Sequence, residues 1–147
     1  MKNTKNEILL TVAWVVAIVA TLGSLYFSEV RQFVPCTLCW YQRILMYPMS
    51  IMFGIAVYKR DFGIMKYSLA LSVIGGSISA YHILLQNFPK LFHDSCTTGV
   101  PCSGKYINWF GFISIPVLAF TAFVVIAAIS IFMIRNPVSE DRENINS

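Results

Sequence analysis

The chain has 147 residues, of which 56% are hydrophobic and only 12% are charged, and its formal net charge is +4. The length suits a single domain, but a water-soluble domain of this size could not cover so much apolar surface, so an ordinary soluble protein is excluded. The small positive charge is spread along the chain and does not indicate nucleic-acid binding.

Four apolar runs predict four membrane-spanning helices. The first run, residues 8–27, has twenty uncharged residues, which as a helix extends for about 30 Å and matches the hydrocarbon core of a bilayer. Lys2 and Lys5 precede it as in a signal sequence, but the run is long for a signal peptide and no small-residue cleavage site follows, so we interpret it as an uncleaved anchor. The other spans are predicted over residues 40–58, 64–86 and 110–134.

Proline and glycine predict local features of these spans. Pro48 predicts a kink in the second span, and Pro116 interrupts the fourth, because proline lacks the backbone donor that a helix interior needs. In the third span, the small residues that begin at Gly75 and Gly76 and continue through Ser77, Ser79 and Ala80 predict close helix packing in lipid. The six methionines are dispersed and are interpreted as packing residues.

The distribution of basic residues predicts the orientation. Four spans place the loops at residues 28–39 and 87–109 on one side of the membrane, and both termini, with the tail at residues 135–147, on the other. The terminal side would hold Lys2, Lys5, Lys59, Arg60, Lys66, Arg135 and Arg142, whereas the loop side would hold Arg31, Lys90 and Lys105, with Arg43 just inside that face. By the positive-inside rule, the termini are cytoplasmic.

The predicted fold class is therefore all-α: residues 1–147 form one integral membrane four-helix bundle, multi-pass in the cell membrane, with both termini cytoplasmic. All four cysteines, Cys36, Cys39, Cys96 and Cys102, fall in the two extracytoplasmic loops, where disulfides persist.

The segment Pro35-Cys36-Thr37-Leu38-Cys39-Trp40-Tyr41-Gln42-Arg43 carries the strongest chemical signal. If the second span is helical from Trp40, then Cys36, Cys39 and Arg43 follow at helical spacings of three and four at the helix start, where unpaired N–H groups and the dipole favour an anion. We expect this position and the guanidinium to lower the pKa of a thiol below its free value of about 8.5. The sequence therefore predicts a reactive thiolate.

Two alternatives use the same cysteines without redox chemistry. Four thiols, with His93 nearby, could form a tetrahedral zinc site, but an oxidising exterior and the five-residue spacing between Cys96 and Cys102 argue against zinc. Structural disulfides are harder to dismiss. However, the small ring closed by Cys36 and Cys39 would hold no distant elements together, and such rings favour exchange over cross-linking.

Arg43 and His82 lie near the same predicted face of the membrane. Taken alone, Arg43 could equally contact lipid phosphate, and His82 could be a neutral interfacial residue whose polar tip reaches water. Beside Cys39, Arg43 can also stabilise a thiolate and donate hydrogen bonds to a carbonyl-bearing ligand. No nucleotide, flavin or haem motif is present, so a lipid-soluble two-electron carrier, a quinone, fits this position.

These features resemble the DsbB/BdbC family of disulfide bond formation proteins over nearly the whole chain, from about residue 8 to residue 134. The resemblance lies in the Cys-x-Leu-Cys-x-x-Gln-Arg string at residues 36–43, in His82 with the Leu85-Gln86 and Pro89 that follow, in the Cys96/Cys102 pair, and in Trp109-Phe110-Gly111 ahead of Pro116.

The resemblance implies an enzyme that reoxidises an exported thioredoxin-fold dithiol oxidase, similar to DsbA or BdbD, and passes two electrons to menaquinone or ubiquinone. Carried over by position, Cys96 would be attacked by the partner's thiolate, and the released Cys102 would exchange with Cys36. Cys39 would face the quinone, with Arg43 polarising a quinone oxygen and His82 close by.

This chain departs from long-loop members of the family, because only five residues separate Cys96 from Cys102. Two other functions remain open on the sequence. One is a four-span quinone or vitamin K reductase, although the Cys-x-x-Cys motif opens the second span from the first loop, as in the DsbB pattern. The other is a non-catalytic four-span interaction protein with structural loop disulfides.

Overall fold

The computed structural model describes residues 2–30, 37–88, 91 and 115–136. They form four long α-helices, and no strand occurs among them. The helices are α1 (Lys2–Leu25), α2 (Thr37–Lys59), α3 (Ile64–Asn87) and α4 (Ile115–Arg135). A π-helical turn, Tyr26–Val30, follows α1 directly. The prediction of an all-α helical membrane bundle is confirmed.

Contacts between residues distant in sequence show that successive helices run antiparallel. At one end, the Asn6 side chain donates to the backbone carbonyl of Asn136 over 3.4 Å, and Glu7 forms an ion pair with Arg60 at 3.4 Å. We call this the terminal end. At the opposite end, the last turn of α1 and the last turns of α3 meet the start of α2. We call this the cysteine end, because Cys39 lies there.

The buried faces of α1, α2 and α4 are mainly apolar, whereas the buried face of α3 carries mainly small or polar residues. Buried apolar residues recur every three or four positions, the spacing of one helix face: Leu10, Ala13 and Ala17 on α1, Met46, Met49, Phe53 and Ala56 on α2, and Ala122, Phe123, Ile126 and Met133 on α4. The buried face of α3 instead carries Met65, Ser68, Ser72, Gly75, Ser79, His82, Leu85 and Gln86. Four of the six methionines are core residues, as the sequence predicted.

The small residues of α3 allow α4 to approach closely. A Cβ atom placed on Gly75 would overlap the ring of Phe123, so only hydrogen fits at this position. Nearer the terminal end, the hydroxyls of Ser68 and Ser130 lie 3.2 Å apart across the same interface, and Ser130 also contacts the Met65 sulfur. The packing role predicted for the glycine and serine residues of α3 is confirmed at Gly75.

Among the described residues, three segments are long and apolar enough to cross a membrane: Thr4–Val30, Ile64–Asn87 and Pro116–Arg135. Helix α2, at 23 residues, has a similar length, but Gln42, Arg43 and Pro48 make its first half more polar. Its assignment as a fourth span stays a prediction. The helix is continuous through Pro48.

Within the described residues α4 begins at Ile115, so Pro116 lies in its first turn. At that position the missing N–H removes no intrahelical hydrogen bond. Residues 110–114 of the predicted fourth span lie outside the described residues.

A short polar turn at residues 60–63 joins α2 to α3. Arg60 has a left-handed backbone, with φ of 55°, and the Asp61 N–H donates to the Ala56 carbonyl over 3.0 Å. This is the pattern in which a left-handed residue ends a helix. The Asp61 carboxylate then accepts from the Gly63 N–H at 2.9 Å, just before α3 begins.

Candidate functional site

Cys39 is the one cysteine that falls within the described residues, in the first turn of α2. The backbone N–H groups of a first helical turn have no intrahelical acceptor, so the predicted placement of Cys39 at a helix start is confirmed. Cys36, Cys96 and Cys102 lie outside the described residues, and their pairing stays a prediction.

The Cys39 side chain is half-buried at the contact between α2 and α3. It packs with Leu38 and Tyr81 against Leu85, whose side chain is fully buried. Leu85 lies in the last turns of α3, so the antiparallel arrangement brings this apolar side chain to the start of α2. Cys39 is therefore held by protein contacts on its α3 side.

The Arg43 guanidinium is bound to the end of α1. Its Nε donates to the Ser24 hydroxyl over 2.9 Å, one terminal nitrogen donates to the Ser24 carbonyl over 3.1 Å, and the other donates to the Ser28 hydroxyl over 3.4 Å. The guanidinium carbon also lies 5.6 Å from the centre of the Trp40 ring. The predicted spacing of one helical turn between Cys39 and Arg43 is confirmed. The direction of the guanidinium, toward α1, was not predicted from the sequence.

The partners of Arg43 leave its charge uncompensated. A guanidinium has five N–H donors, and the three bonds to Ser24 and Ser28 use one from each nitrogen. The acceptors are neutral, and the ion pair found among the described residues, Glu7–Arg60, lies at the terminal end. Arg43 therefore retains both a full positive charge and N–H groups for an anion or a carbonyl oxygen.

His82 is buried rather than interfacial. Its Nδ1 lies 3.3 Å from Nε2 of Gln42, which is also buried, so the pair joins α2 to α3 inside the bundle. The sequence placed His82 near the same membrane face as Arg43, but only the resemblance gave it a role at the quinone, and neither gave a role to Gln42. The sequence did contain a signal for Gln42. A carboxamide inside an apolar run needs a polar partner, and polar groups within membrane spans are often functional.

The first two turns of α2 thus present three side chains in three directions. Cys39 packs on Leu85, Gln42 reaches His82, and Arg43 reaches α1. A cation, an imidazole and a half-buried thiol near one end of the bundle are side chains that a ligand with carbonyl oxygens on an apolar ring could use. Within the described ranges, no group of three or more His, Cys, Asp or Glu residues is placed to hold a metal ion.

An apolar helical bundle that presents a Cys-x-x-Cys cysteine at a helix start, beside a cation and a buried imidazole, defines the class of membrane thiol–disulfide oxidoreductases. The family model described as "Disulfide bond formation protein DsbB" matches residues 6–133 of the chain. The chain therefore belongs to the DsbB family, and it is part of the membrane machinery that forms disulfide bonds.

Individual relatives agree with this assignment. Disulfide bond formation protein C of Bacillus subtilis is 56% identical over 124 residues, which cover 83% of this chain and 90% of that protein. Probable disulfide formation protein C of Halalkalibacterium halodurans is 52% identical over 134 residues, covering 90% and 98%. Probable disulfide formation protein C 1 of Bacillus anthracis is 49% identical over 136 residues, covering 92% and 98%. No solved structure matches the chain significantly.

Proposed function

We propose that the protein is a quinone-linked thiol oxidoreductase that reoxidises an exported thioredoxin-fold dithiol oxidase and so supports disulfide formation in exported proteins. The observation that carries the proposal is the placement of Cys39 in the first turn of α2, four residues before an arginine whose described partners are all neutral. This setting favours a thiolate next to a site for an electron acceptor.

The exchange between protein and partner needs the two cysteine pairs in sequence. A partner thiolate attacks Cys96 in the Cys96–Cys102 disulfide, forms a mixed disulfide and releases the Cys102 thiolate. This thiolate attacks Cys36 in the Cys36–Cys39 disulfide and releases the Cys39 thiolate. The partner's second thiolate then displaces Cys96 and leaves as part of an oxidised partner. Finally Cys96 attacks Cys102, which re-forms the first disulfide and leaves Cys36 and Cys39 reduced.

Cys39 is suited to be the leaving group when the Cys102 thiolate attacks Cys36. A leaving thiolate is released faster when its pKa is low, and a helix start with an uncompensated guanidinium nearby stabilises the anion. The same guanidinium, through its remaining N–H groups, and His82 would hold the oxygens of a quinone, with Trp40 and Leu38 available for the apolar ring. A quinone supplies a sink for two electrons and two protons, so the two thiols can return to a disulfide.

The charge distribution supports an extracytoplasmic cysteine end. At the terminal end, the described basic residues are Lys2, Lys5, Lys59, Arg60, Lys66 and Arg135, whereas at the cysteine end the described basic residue is Arg43. The loops at residues 28–39 and 87–109 add Arg31, Lys90 and Lys105 to the side of the cysteines. By the positive-inside rule, the terminal end faces the cytoplasm, and an exported partner would reach the cysteines from outside the cell membrane.

The test uses the purified protein, a reduced thioredoxin-fold protein with a Cys-x-x-Cys motif, and a water-soluble quinone analogue. We expect the wild type to reduce the quinone while the partner is oxidised, one quinone for each disulfide, and we expect Cys39→Ser to abolish turnover. Ser77→Ala is the matched control, because the exposed Ser77 hydroxyl bonds only to the carbonyl of Val73 on its own helix. Lack of quinone reduction by the wild type, or full activity in Cys39→Ser, would refute the proposal.

A further inference from the structure

Trp40 places an exposed aromatic ring beside the uncompensated charge of Arg43. The guanidinium carbon lies 5.6 Å from the centre of the indole ring, within the range of a cation–π contact. The Trp40 side chain is nevertheless 54% exposed, so the described part of the chain leaves about half of its surface uncovered. The contact therefore orients the indole next to the cation and still leaves aromatic surface for a second flat ring.

The geometry of α2 places this ring on the more open side of Cys39. Successive residues of an α-helix are about 100° apart around its axis, so Arg43 lies about 40° and Trp40 about 100° from Cys39 in the same direction. That direction is the α1 side, because the Arg43 guanidinium is bonded to Ser24 of α1. On the α3 side, Cys39 packs against Leu85. A flat ligand that meets the Cys39 sulfur would therefore approach it from the side of Trp40 and Arg43.

We propose that Trp40 is a further binding residue for the quinone, whose ring stacks on the indole with one carbonyl oxygen toward the remaining N–H groups of Arg43. This inference rests on the proposed function, because the ring is that of the proposed electron acceptor. Trp40 directly follows Cys39, a rise of about 1.5 Å along the helix, so the stacked ring lies at the depth of the sulfur. The acceptor is thereby placed on the α1 side of α2.

The indole and the quinone ring are chemically complementary. The two carbonyl groups of a quinone withdraw electron density from its ring, whereas tryptophan has the most electron-rich face among the aromatic side chains, so an offset stack is attractive. Arg43 adds a fixed positive charge beside an oxygen that becomes more negative as the quinone takes up electrons. One side chain therefore binds the ring, and the other binds the oxygen.

Tryptophan is also common at membrane interfaces, where it needs no ligand. Tyr41 represents that alternative in the same turn of α2. It is 51% exposed, close to the value for Trp40, but it lies about 200° from Cys39 around the axis, and the cation–π contact found in the described structure does not involve it. Trp40 differs from such an interfacial anchor in having a thiol and a cation as neighbours. Tyr41→Leu is therefore the matched control for Trp40→Leu.

Stacking can be measured without turnover. The chain has three tryptophans, so protein labelled with fluorotryptophan gives three ¹⁹F NMR resonances, and Trp40→Phe identifies that of Trp40. With both cysteine pairs oxidised, the protein has no electrons to pass on, and added quinone stays oxidised. We expect the magnetic anisotropy of a stacked quinone to shift the Trp40 resonance, while that of Trp14, which lies against Gly54 farther along α2, stays in place. An unshifted Trp40 resonance at a quinone concentration well above the KM would overturn the proposal.

Kinetics test whether the contact serves binding. Trp40→Leu should raise the KM for a water-soluble quinone analogue roughly two- to tenfold, the effect of losing one aromatic pair, and Trp40→Phe, which keeps a smaller ring, should raise it less. Tyr41→Leu should keep the wild-type KM. An equal rise in Trp40→Leu and Tyr41→Leu would assign both side chains to the membrane interface and contradict the proposal.

A further measurement separates stacking from an effect through Arg43. If Trp40 served only to hold Arg43, its loss would also slow reduction of the Cys36–Cys39 disulfide by the partner, because Arg43 stabilises the departing Cys39 thiolate. We expect this rate, measured without quinone, to stay at the wild-type value in Trp40→Leu, and a parallel decrease would refute direct contact with the quinone. Failure of the wild type to reduce any quinone would instead refute the proposed function, whereas quinone reduction with an unshifted Trp40 resonance would refute the stacking alone.

Discussion

Arg43 illustrates how a charged side chain can be accommodated close to the end of an apolar helix. A charge at the centre of a bilayer costs roughly 2.5–3.5 kcal/mol on insertion scales, and less toward a helix end. Here three hydrogen bonds to Ser24 and Ser28 replace part of the lost hydration without neutralising the charge. The result is a cation that is fixed in position and still able to act on an anion.

Removing the shortest of these bonds should therefore loosen Arg43 without removing it. In Ser24→Ala, Nε loses its acceptor, although the Ser24 carbonyl remains bonded. Since one hydrogen bond to a charged group contributes about 1.5–3 kcal/mol, we expect kcat/KM for quinone to fall by roughly ten- to a hundredfold. The measurement is steady-state quinone reduction with a saturating reduced partner.

Ser28→Ala provides the comparison, because its bond to Arg43 is longer, at 3.4 Å against 2.9 Å. We expect a smaller decrease in kcat/KM for this variant. If both variants behaved as wild type, Arg43 would not depend on α1 for its position, and its contacts with Ser24 and Ser28 would be incidental.

Helix α3 shows how a membrane helix reverses the usual distribution of side chains. Its buried face consists largely of glycine, serine and polar residues, whereas the large apolar residues Val73, Ile74 and Leu84 are exposed. Lipid tails solvate apolar side chains as well as a protein core does, so association of helices depends on close packing and hydrogen bonds instead. The contact of Gly75 with Phe123 is where this packing is tightest.

Gly75→Ala should therefore destabilise the bundle even though alanine favours helix formation. The added methyl group overlaps the Phe123 ring, and overpacking of this kind costs about 1–3 kcal/mol. Gly76→Ala is the matched control, because its Cβ would meet Phe123 at an ordinary contact distance of 3.8 Å, and the gain in helix propensity, up to about 1 kcal/mol, should remain. Unfolding in mixed micelles measures both.

A second substitution separates overlap from other causes of destabilisation. Phe123→Leu removes the ring that the new methyl group would meet, so the pair Gly75→Ala with Phe123→Leu should be less destabilised than the two single effects added together. Additive effects, or a Gly75→Ala variant as stable as Gly76→Ala, would show that α3 and α4 can move apart at this point without cost.

Much of the molecule could be predicted from the sequence, since hydrophobic runs of sufficient length require helices in a bilayer. The start of α2 could also be located, because Pro35 and the Cys-x-x-Cys motif mark it. The direction of Arg43 could not be predicted, because it depends on how α2 is rotated against α1. The same holds for the pairing of Gln42 with His82, which are forty residues apart and meet only when two helices pack in one register.

The antiparallel arrangement places every described site residue at one end of the bundle. Because α1 and α3 end where α2 begins, Ser24, Cys39 and His82 all lie at the cysteine end, while Asn6, Arg60 and Asn136 lie at the terminal end. The proposed relay requires that the cysteine end face the exterior, where it can meet an exported partner. That orientation has a direct test.

Single cysteines in a variant without the four native ones should report the orientation. Val30, 65% exposed, and Phe88, 57% exposed, lie at the cysteine end, while the exposed side chains of Lys5 and Lys59 lie at the terminal end. A membrane-impermeant maleimide added to intact spheroplasts should label Val30→Cys and Phe88→Cys. The variants Lys5→Cys and Lys59→Cys should react only after the membrane is permeabilised, which also controls for their expression.

Labelling of Lys59→Cys from outside would show that the bundle has the opposite orientation in the membrane. Labelling of Val30→Cys without Phe88→Cys would show that the ends of α1 and α3 do not lie on the same side, contrary to the antiparallel arrangement. In either case an exported dithiol could not reach the cysteines in the way that the relay requires.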